Sequence, residues 1–223
     1  MRVDESAILR KTDLFRSVSD DDLGTVISAS RVRNYRRGQV IFSQGDPGGT
    51  LIVVVTGRVK LVVRSADGAE LTLTIIGPGG VIGELTVADG GPRSTDAETL
   101  DDCQLLLVPR EPIQEICSRN ASAAQALTSA IAADLRRLTE DTSDLVFLDL
   151  PRRVAKVLLS QPVDSDGTIR VDLRQEELAH QVGGSRQSVN SALSAFQRRG
   201  WIEVRDRAVT VRQVAPLARF AGT

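Results

Sequence analysis

A chain of 223 residues is long enough for two compact domains, and 41% hydrophobic with 26% charged residues is the make-up of a globular protein rather than a disordered one. Aromatic residues supply 3%, so the core is aliphatic, while two cysteines and a single histidine argue against a disulfide framework, an iron-sulfur cluster, a haem site or a structural metal. The formal net charge is −1 and no apolar run is long enough to cross a bilayer, which points to the cytoplasm.

Residues 6–29 read as short helices: Ala7, Ile8, Leu9 and Leu14 come first, then capping residues at Ser19 and Asp20 precede Leu23, Val26 and Ile27 at helical spacing. From Tyr35 the texture changes to short β-branched runs: Val40 to Phe42, Leu51 to Val55, Val59 to Val63, Leu71 to Ile76 and Leu105 to Val108. Turn signals at Gly45 to Gly48, Thr56-Gly57, Asp67-Gly68 and Gly77 to Gly80 separate them, as expected of an antiparallel barrel or roll.

The stretch Ala121 to Phe147 has neither Pro nor Gly, and Ala124, Thr128, Ile131, Leu135, Leu138, Thr142 and Leu145 follow one another at alternating spacings of four and three. That spacing is the seam of a two-stranded coiled coil and predicts a homodimer. A single amphipathic helix lying on its own barrel is the alternative. Leu150-Pro151 ends the helix, because proline disfavours helical geometry in the residue before it and suits the first turn of the next.

Beyond it the spacing predicts a helix over Arg153 to Leu159, a polar turn at Pro162 to Gly167 and a short strand at Ile169 to Val171. Two close helices follow, Gln175 to Val182 and Ser185 to Arg198, then a hairpin of Trp201 to Val204 and Val209 to Val211 with its turn at Asp206. Gly183-Gly184 permits the sharp bend between the two helices. Helix-turn-helix plus hairpin is a winged helix in outline. From Asp149 onward there are 12 Lys+Arg against 8 Asp+Glu, and before it 16 against 21, so the C-terminal part carries the positive balance that a polyphosphate partner rewards.

Two segments carry the chemistry: Gly83-Glu84-Leu85, and Pro92-Arg93-Ser94-Thr95. A cyclic nucleotide offers one phosphate anion and one free ribose 2′-hydroxyl. A helical turn starting near Gly83 presents backbone N–H groups to the phosphate, Arg93 can grip it through its planar fork and Ser94 adds a hydroxyl donor. Glu84 can accept a hydrogen bond from the 2′-hydroxyl, which separates a ribonucleotide from its deoxy analogue. At the other end of the chain, Ser185, Arg186, Gln187, Ser188, Asn190 and Ser191 occupy the start of the second helix of the helix-turn-helix, where base edges are read. Arg186 suits guanine and Gln187 suits adenine. Arg198, Arg199, Arg205 and Arg207 are candidates for phosphate or wing contacts, with a solvated surface as the plain alternative.

Together with the barrel glycines Gly45, Gly57 and Gly68, the hinge Phe147-Leu148-Asp149 and the V-G-x-S-R run ending at Arg186, these segments resemble the cyclic-AMP receptor protein and FNR family over about residues 5 to 215. The resemblance implies an α+β chain: an N-terminal antiparallel, jelly-roll-like β-roll that binds a cyclic nucleotide (residues 1–120), a dimerisation helix and hinge (121–148) and a winged helix-turn-helix (149–223). It implies a regulator rather than an enzyme, binding double-stranded DNA at a pseudo-palindromic operator, with cyclic AMP as first ligand and cyclic GMP as second. A member that binds DNA without nucleotide control, or that answers to a different ligand, is the alternative. The long-helix positions that meet the adenine in cyclic-AMP-responsive members are Leu138 and Thr139 here, and the first is apolar. Of the three base readers expected by resemblance, Arg186 is kept while Gln187 and Ser191 differ, so the half-site departs from the usual one. RNA polymerase is a further implied partner, but the region concerned is only the short Pro162 to Gly167 loop, which leaves repression as open as activation.

Overall fold

The computed structural model describes residues 4–222 except 162, 164–166, 173 and 206–207. The expected turn at Asp206, Arg207 and most of the Pro162 to Gly167 loop therefore lie outside the described residues. Two compact units are present: one holds the chain up to Val63 together with Leu73–Arg137, the other Arg64–Thr72 together with everything from Leu138 on.

The first unit opens with α1 (Glu5–Leu9) and α2 (Asp20–Ala29). Asp4 accepts from the Ala7 N–H and Ser19 from the Asp22 N–H, and three aspartates fill the first turn of α2, where the helix dipole favours negative charge. Eight strands follow: β1 (Arg31–Tyr35), β2 (Val40–Phe42), β3 (Thr50–Thr56), β4 (Val59–Arg64), β5 (Glu70–Ile76), β6 (Val81–Ile82), β7 (Asp96–Thr99) and β8 (Cys103–Pro109), with α3 (Glu84–Asp89) between β6 and β7. They form two four-stranded sheets, in the orders β1-β8-β3-β6 and β2-β7-β4-β5. Ile52 and Val54 of β3 join Val59, Ile82, Ala97, Cys103 and Leu105 in one core. Leu51 and Val53 join Leu106, Val108, the helical Leu9, Leu23, Val26, Ile113, Ile116 and Leu127, and Phe15 from the turn between α1 and α2 in the other. With both faces buried, β3 is apolar at consecutive positions, since alternate side chains point to opposite sides.

Four elements of this unit have no counterpart in the sequence reading, one of them the two-residue β6. β1 alternates Arg31, Val32, Arg33 and pairs along its whole length with β8, from Arg31 opposite Leu107 to Tyr35 opposite Cys103, so its charged outer face hid its strand character. β7 carries Asp96 and Glu98 on one side and buried Ala97 and Thr99 on the other. The helix α4 (Arg110–Arg119) has Pro112 in its first turn, where proline is tolerated, and holds by burying Ile113 and Ile116.

The helix α5 runs over Ala121–Phe147, the span expected from the sequence. Ala123 and Leu127 are buried and Ile131 packs partly on the same core, whereas Leu135 and Phe147 are 66% and 80% exposed. One face of its first half thus rests on its own barrel.

The second unit contains α6 (Leu150–Leu159), β9 (Ile169–Val171), α7 (Gln175–Val182), α8 (Arg186–Arg198), β10 (Ile202–Arg205), β11 (Ala208–Val211) and α9 (Val214–Ala221), the last not foreseen. Asp149 caps α6 and Pro151 lies in its first turn. The strands form an antiparallel β10-β11-β9 sheet. Gly183 closes α7 in the left-handed region (φ +62°), which an L side chain rarely adopts, and Leu150 lies where a Cβ on Gly184 would stand. Val182, Val189, Leu193 and Phe196 are buried, and Phe196, Trp201 and Phe220 stack with centroids 5.4 to 5.9 Å apart. Arg153 donates to the carbonyls of Val182 (3.0 Å) and Leu148 (2.8 Å), tying the end of α7 to the residues between α5 and α6.

Candidate ligand pocket and nucleic-acid interface

In the first unit a cavity of about 460 Å³ is lined by apolar and backbone groups of β4, β5 and the Gly77 to Gly80 turn, with Glu84, Asp134 and Arg137 as its charged walls. That volume falls within the range usual for small-molecule sites. Glu84 is the first residue of α3, and burial pushes its carboxyl above the ordinary carboxylate range, with the nearby Asp134 charge adding to the shift and Arg93 opposing it. Arg137 donates to the Leu73 carbonyl (2.9 Å) and to Asp134 Oδ1 (3.3 Å). Asp134 and Arg137 stand one turn apart on α5, and sequence reasoning missed both as pocket residues.

Arg93 is 5% exposed. Its Nη2 donates to the Thr50 carbonyl (2.8 Å) and hydroxyl (2.9 Å), its Nη1 to Thr86 Oγ1 (3.4 Å), and its guanidinium lies 4.2 Å from the centroid of the Phe42 ring. Its Nε is buried without a partner, and among the described residues no carboxylate is within ion-pair distance of it. Burial pulls its pKa below the ordinary arginine value, against the opposing fields of Asp46 and Glu84. Gly83 has a φ of +100°, and a Cβ there would collide with Arg93 Nη1 and stand 2.9 Å from the Thr50 carbonyl, so glycine is required by both conformation and space.

Of the residues expected to form the pocket, Glu84 reaches the cavity wall and Gly83 and Arg93 lie against one another directly behind it. The Arg93 fork is turned toward Thr50 rather than into the cavity. Leu85 and Ser94 are exposed, Thr95 is half-buried, and Leu138 and Thr139 are exposed on α5. Cys103 and Cys117 are unpaired thiols, each packed on a hydrophobic core, and burial raises both above the usual thiol range.

In the second unit the exposed side of α8 is a polar stripe, opposite buried Val189, Ala192, Leu193 and Phe196. Arg186, Gln187, Asn190, Ser191, Ser194 and Arg198 line a shallow concavity of about 700 Å³. Ser185 is the N-cap: its Oγ accepts from the Ser188 N–H (3.1 Å) and shares a 2.9 Å hydrogen bond with the Ser188 hydroxyl. The Ser191 hydroxyl donates to the Gln187 carbonyl (3.0 Å). Ser194 extends the stripe beyond the residues singled out from sequence, and Arg198, expected from sequence at a phosphate or the wing, lies at the same helical spacing. Arg199 stacks on Trp201 (4.8 Å) and Arg205 pairs with Glu203 (2.5 Å), so both are engaged within the unit. His180 Nδ1 lies 3.3 Å from Oε1 of Glu70, which belongs to this same unit through the Arg64–Thr72 segment.

The model of the cyclic nucleotide-binding domain matches residues 32–120, and that of the Crp-like helix-turn-helix domain matches residues 152–220. The CRP-like cAMP-activated global transcriptional regulator of Mycobacterium tuberculosis is 34% identical over 220 residues, 96% of this chain and 98% of that one. The cyclic AMP receptor protein of Thermus thermophilus is 32% identical over 213 residues, with the same coverage. Among solved structures, the c-di-GMP-responsive global regulator Clp of Xanthomonas campestris superposes with a TM-score of 0.72 at 25% identity, covering 86% of this chain and 99% of that one. The Thermus thermophilus catabolite activator protein superposes at 0.53 and 30% identity, covering 95% and 99%. Both matched domains, in this order and over nearly the whole length, place the chain in the cyclic-AMP receptor protein and FNR family of cyclic-nucleotide-binding transcription regulators, which are not enzymes.

Proposed function

We propose that the chain is a cytoplasmic homodimer that binds a pseudo-palindromic operator under the control of a cyclic nucleotide, with cyclic AMP as the first ligand. The observation that carries the ligand reading is Arg93: a buried guanidinium with one donor unpartnered and no carboxylate paired to it lacks an anion. A phosphate seated beside Gly83 and α3 would supply one, drawing the fork away from Thr50, while Glu84 takes the ribose 2′-hydroxyl from the cavity wall. Ser94 and Thr95 follow Arg93 as further donors, and Leu85 stands beside Glu84. Leu138 brings no hydrogen-bonding group to a base, so any base recognition from this part of α5 rests on Thr139.

Support for dimerisation comes from α5, where Leu135, Leu138 and Leu145 are exposed along the predicted seam. A two-fold dimer would present its two α8 helices about one DNA turn, roughly 34 Å, apart. Arg186, Gln187, Ser188, Asn190 and Ser191 would then face base edges, and Ser185 would hold the helix start. RNA polymerase is a partner if the protein activates; repression needs only the operator.

The relatives differ in ligand: two are described as cyclic-AMP proteins and one as c-di-GMP-responsive. Calorimetric titration with cyclic AMP, cyclic GMP and c-di-GMP decides among them, with Arg93→Ala as control. Saturable heat with cyclic AMP that disappears in Arg93→Ala is the expected result. Heat with another of the three reassigns the ligand, and none with any of them leaves a DNA-binding regulator without nucleotide control.

A further inference from the structure

On the reading of α8 as the DNA-recognition helix, we infer that Asn190 is a specificity-determining residue that reads adenine beside Gln187, so that each half-site pairs one guanine with two nearby adenines. The cap and back-bonding geometry leads there by separating engaged from unengaged groups. Ser185 and Ser188 are hydrogen-bonded to each other, with Ser185 also accepting from the Ser188 N–H, and the Ser191 hydroxyl donates into its own helix. These three serines hold the start of α8. Arg186, Gln187 and Asn190 are the residues of the stripe's first turns whose side-chain donors are not used in this way.

Asn190 differs from the other two. It is half-buried on the wall of the concavity between the longer Arg186 and Ser194, and its Oδ1 is buried without a hydrogen-bond partner. An orphaned amide oxygen is costly, and turning the amide outward breaks no existing bond of that oxygen. Adenine supplies what the amide lacks: its N6 amino group donates to Oδ1 while its N7 accepts from Nδ2, the bidentate pairing that asparagine and glutamine make in the major groove. Asn190 follows Gln187 by three residues and Arg186 by four, about 4.5 and 6 Å along the helix, which corresponds to one or two base-pair steps of about 3.4 Å. Arg186 is thereby matched to a guanine and the two amides to A·T pairs within a step or two of it. Arg198, three turns on, lies beyond the base-reading end and is left for phosphate.

The test starts with selection of full-length protein on a duplex pool randomised over both half-sites, run without nucleotide and with cyclic AMP, cyclic GMP or c-di-GMP. Wild type is expected to enrich a guanine with two adenines, and Asn190→Ala to keep the guanine and lose one adenine. In the selected duplex, 7-deazaadenine or purine at that adenine should weaken wild type roughly 5- to 150-fold and leave Asn190→Ala unaffected, a cycle a merely structural role would not produce. Asn190→Asp, which can only accept, should shift that position toward cytosine, and matched thermal unfolding of the variants confirms that they are folded. If Asn190→Ala selects the same half-site as wild type, or the base analogues weaken both proteins equally, Asn190 is not the reader although α8 still is. If wild type enriches no sequence under any condition, the reading of α8 itself fails, and this inference with it.

Discussion

Glu84 places a carboxyl, raised in pKa by burial, on the wall of the cavity proposed to take the ligand. Its carboxyl is held above the ordinary carboxylate range by burial and by Asp134, so the folded chain binds that proton more tightly than the unfolded chain does. Its contribution to stability is therefore full below the unfolded pKa and is lost as pH rises through the higher folded value. Glu84→Gln removes this dependence and should raise the melting temperature at neutral pH, by about 2–4 °C for each kcal/mol relieved. Glu84→Ala, which leaves no acceptor for a 2′-hydroxyl, should lose discrimination between cyclic AMP and its 2′-deoxy analogue. Calorimetric melting across pH together with ligand titration checks both, and an unchanged melting curve would mean that Glu84 carries no such penalty. At the DNA end, Arg186→Ala is expected to weaken operator binding by about 1–3 kcal/mol and relax one base position, read from affinities on a panel of single-base operator variants. The residues at 84, 93 and 186 were singled out in the sequence by the chemical demands their types could meet: an acceptor for a hydroxyl, a fork for an anion, a fork for guanine. The direction each side chain takes was not legible, since Arg93 turns to Thr50 and Phe42, which are remote from it along the chain.

Helices with a strong periodic signal agree with their sequence spans: α5 over Ala121–Phe147 and α7 over Gln175–Val182. Other elements were missed. β1 is a strand because β8 pairs with it, and the short helices α4 and α9, though amphipathic, each carry a proline in the first turn, Pro112 and Pro216, that masks the helical pattern. The first half of α5 lies on its own barrel, with Ala123 and Leu127 buried, while Leu135 and Leu138 further along are exposed, as the proposed seam requires. Leu135→Glu is accordingly expected to dissociate the proposed dimer while leaving the monomer folded, which sedimentation equilibrium of both proteins and circular dichroism would show; an unaltered mass would exclude this face as the interface. Phe196 anchors α8 against Trp201 and Phe220, so Phe196→Ala should cost about 3–5 kcal/mol in denaturant unfolding.

The whole molecule joins an acidic cyclic-nucleotide-binding part to a basic helix-turn-helix, and a ligand can control the second only through a difference in its affinity for two states. Operator affinity should therefore rise when the nucleotide that gives heat in calorimetry is present. Fluorescence titration of a labelled operator with and without it decides, and equal affinities would show that the ligand-free protein already occupies the binding state. From sequence alone came the order and type of the periodic elements, the glycine turns, the charge division near Asp149 and the chemical groups available to a ligand and to DNA. These follow from backbone period and side-chain chemistry, which act over a few residues. The tertiary structure alone decided that Asp134 and Arg137 of α5 share a cavity with Glu84, that Arg93 is buried behind Gly83 without an anion, and that three serines of α8 are engaged in holding the helix start while Asn190 Oδ1 is left without a partner. Packing sets burial, rotamer and hydrogen-bond partner through space, between residues whose separation along the chain carries no local signal.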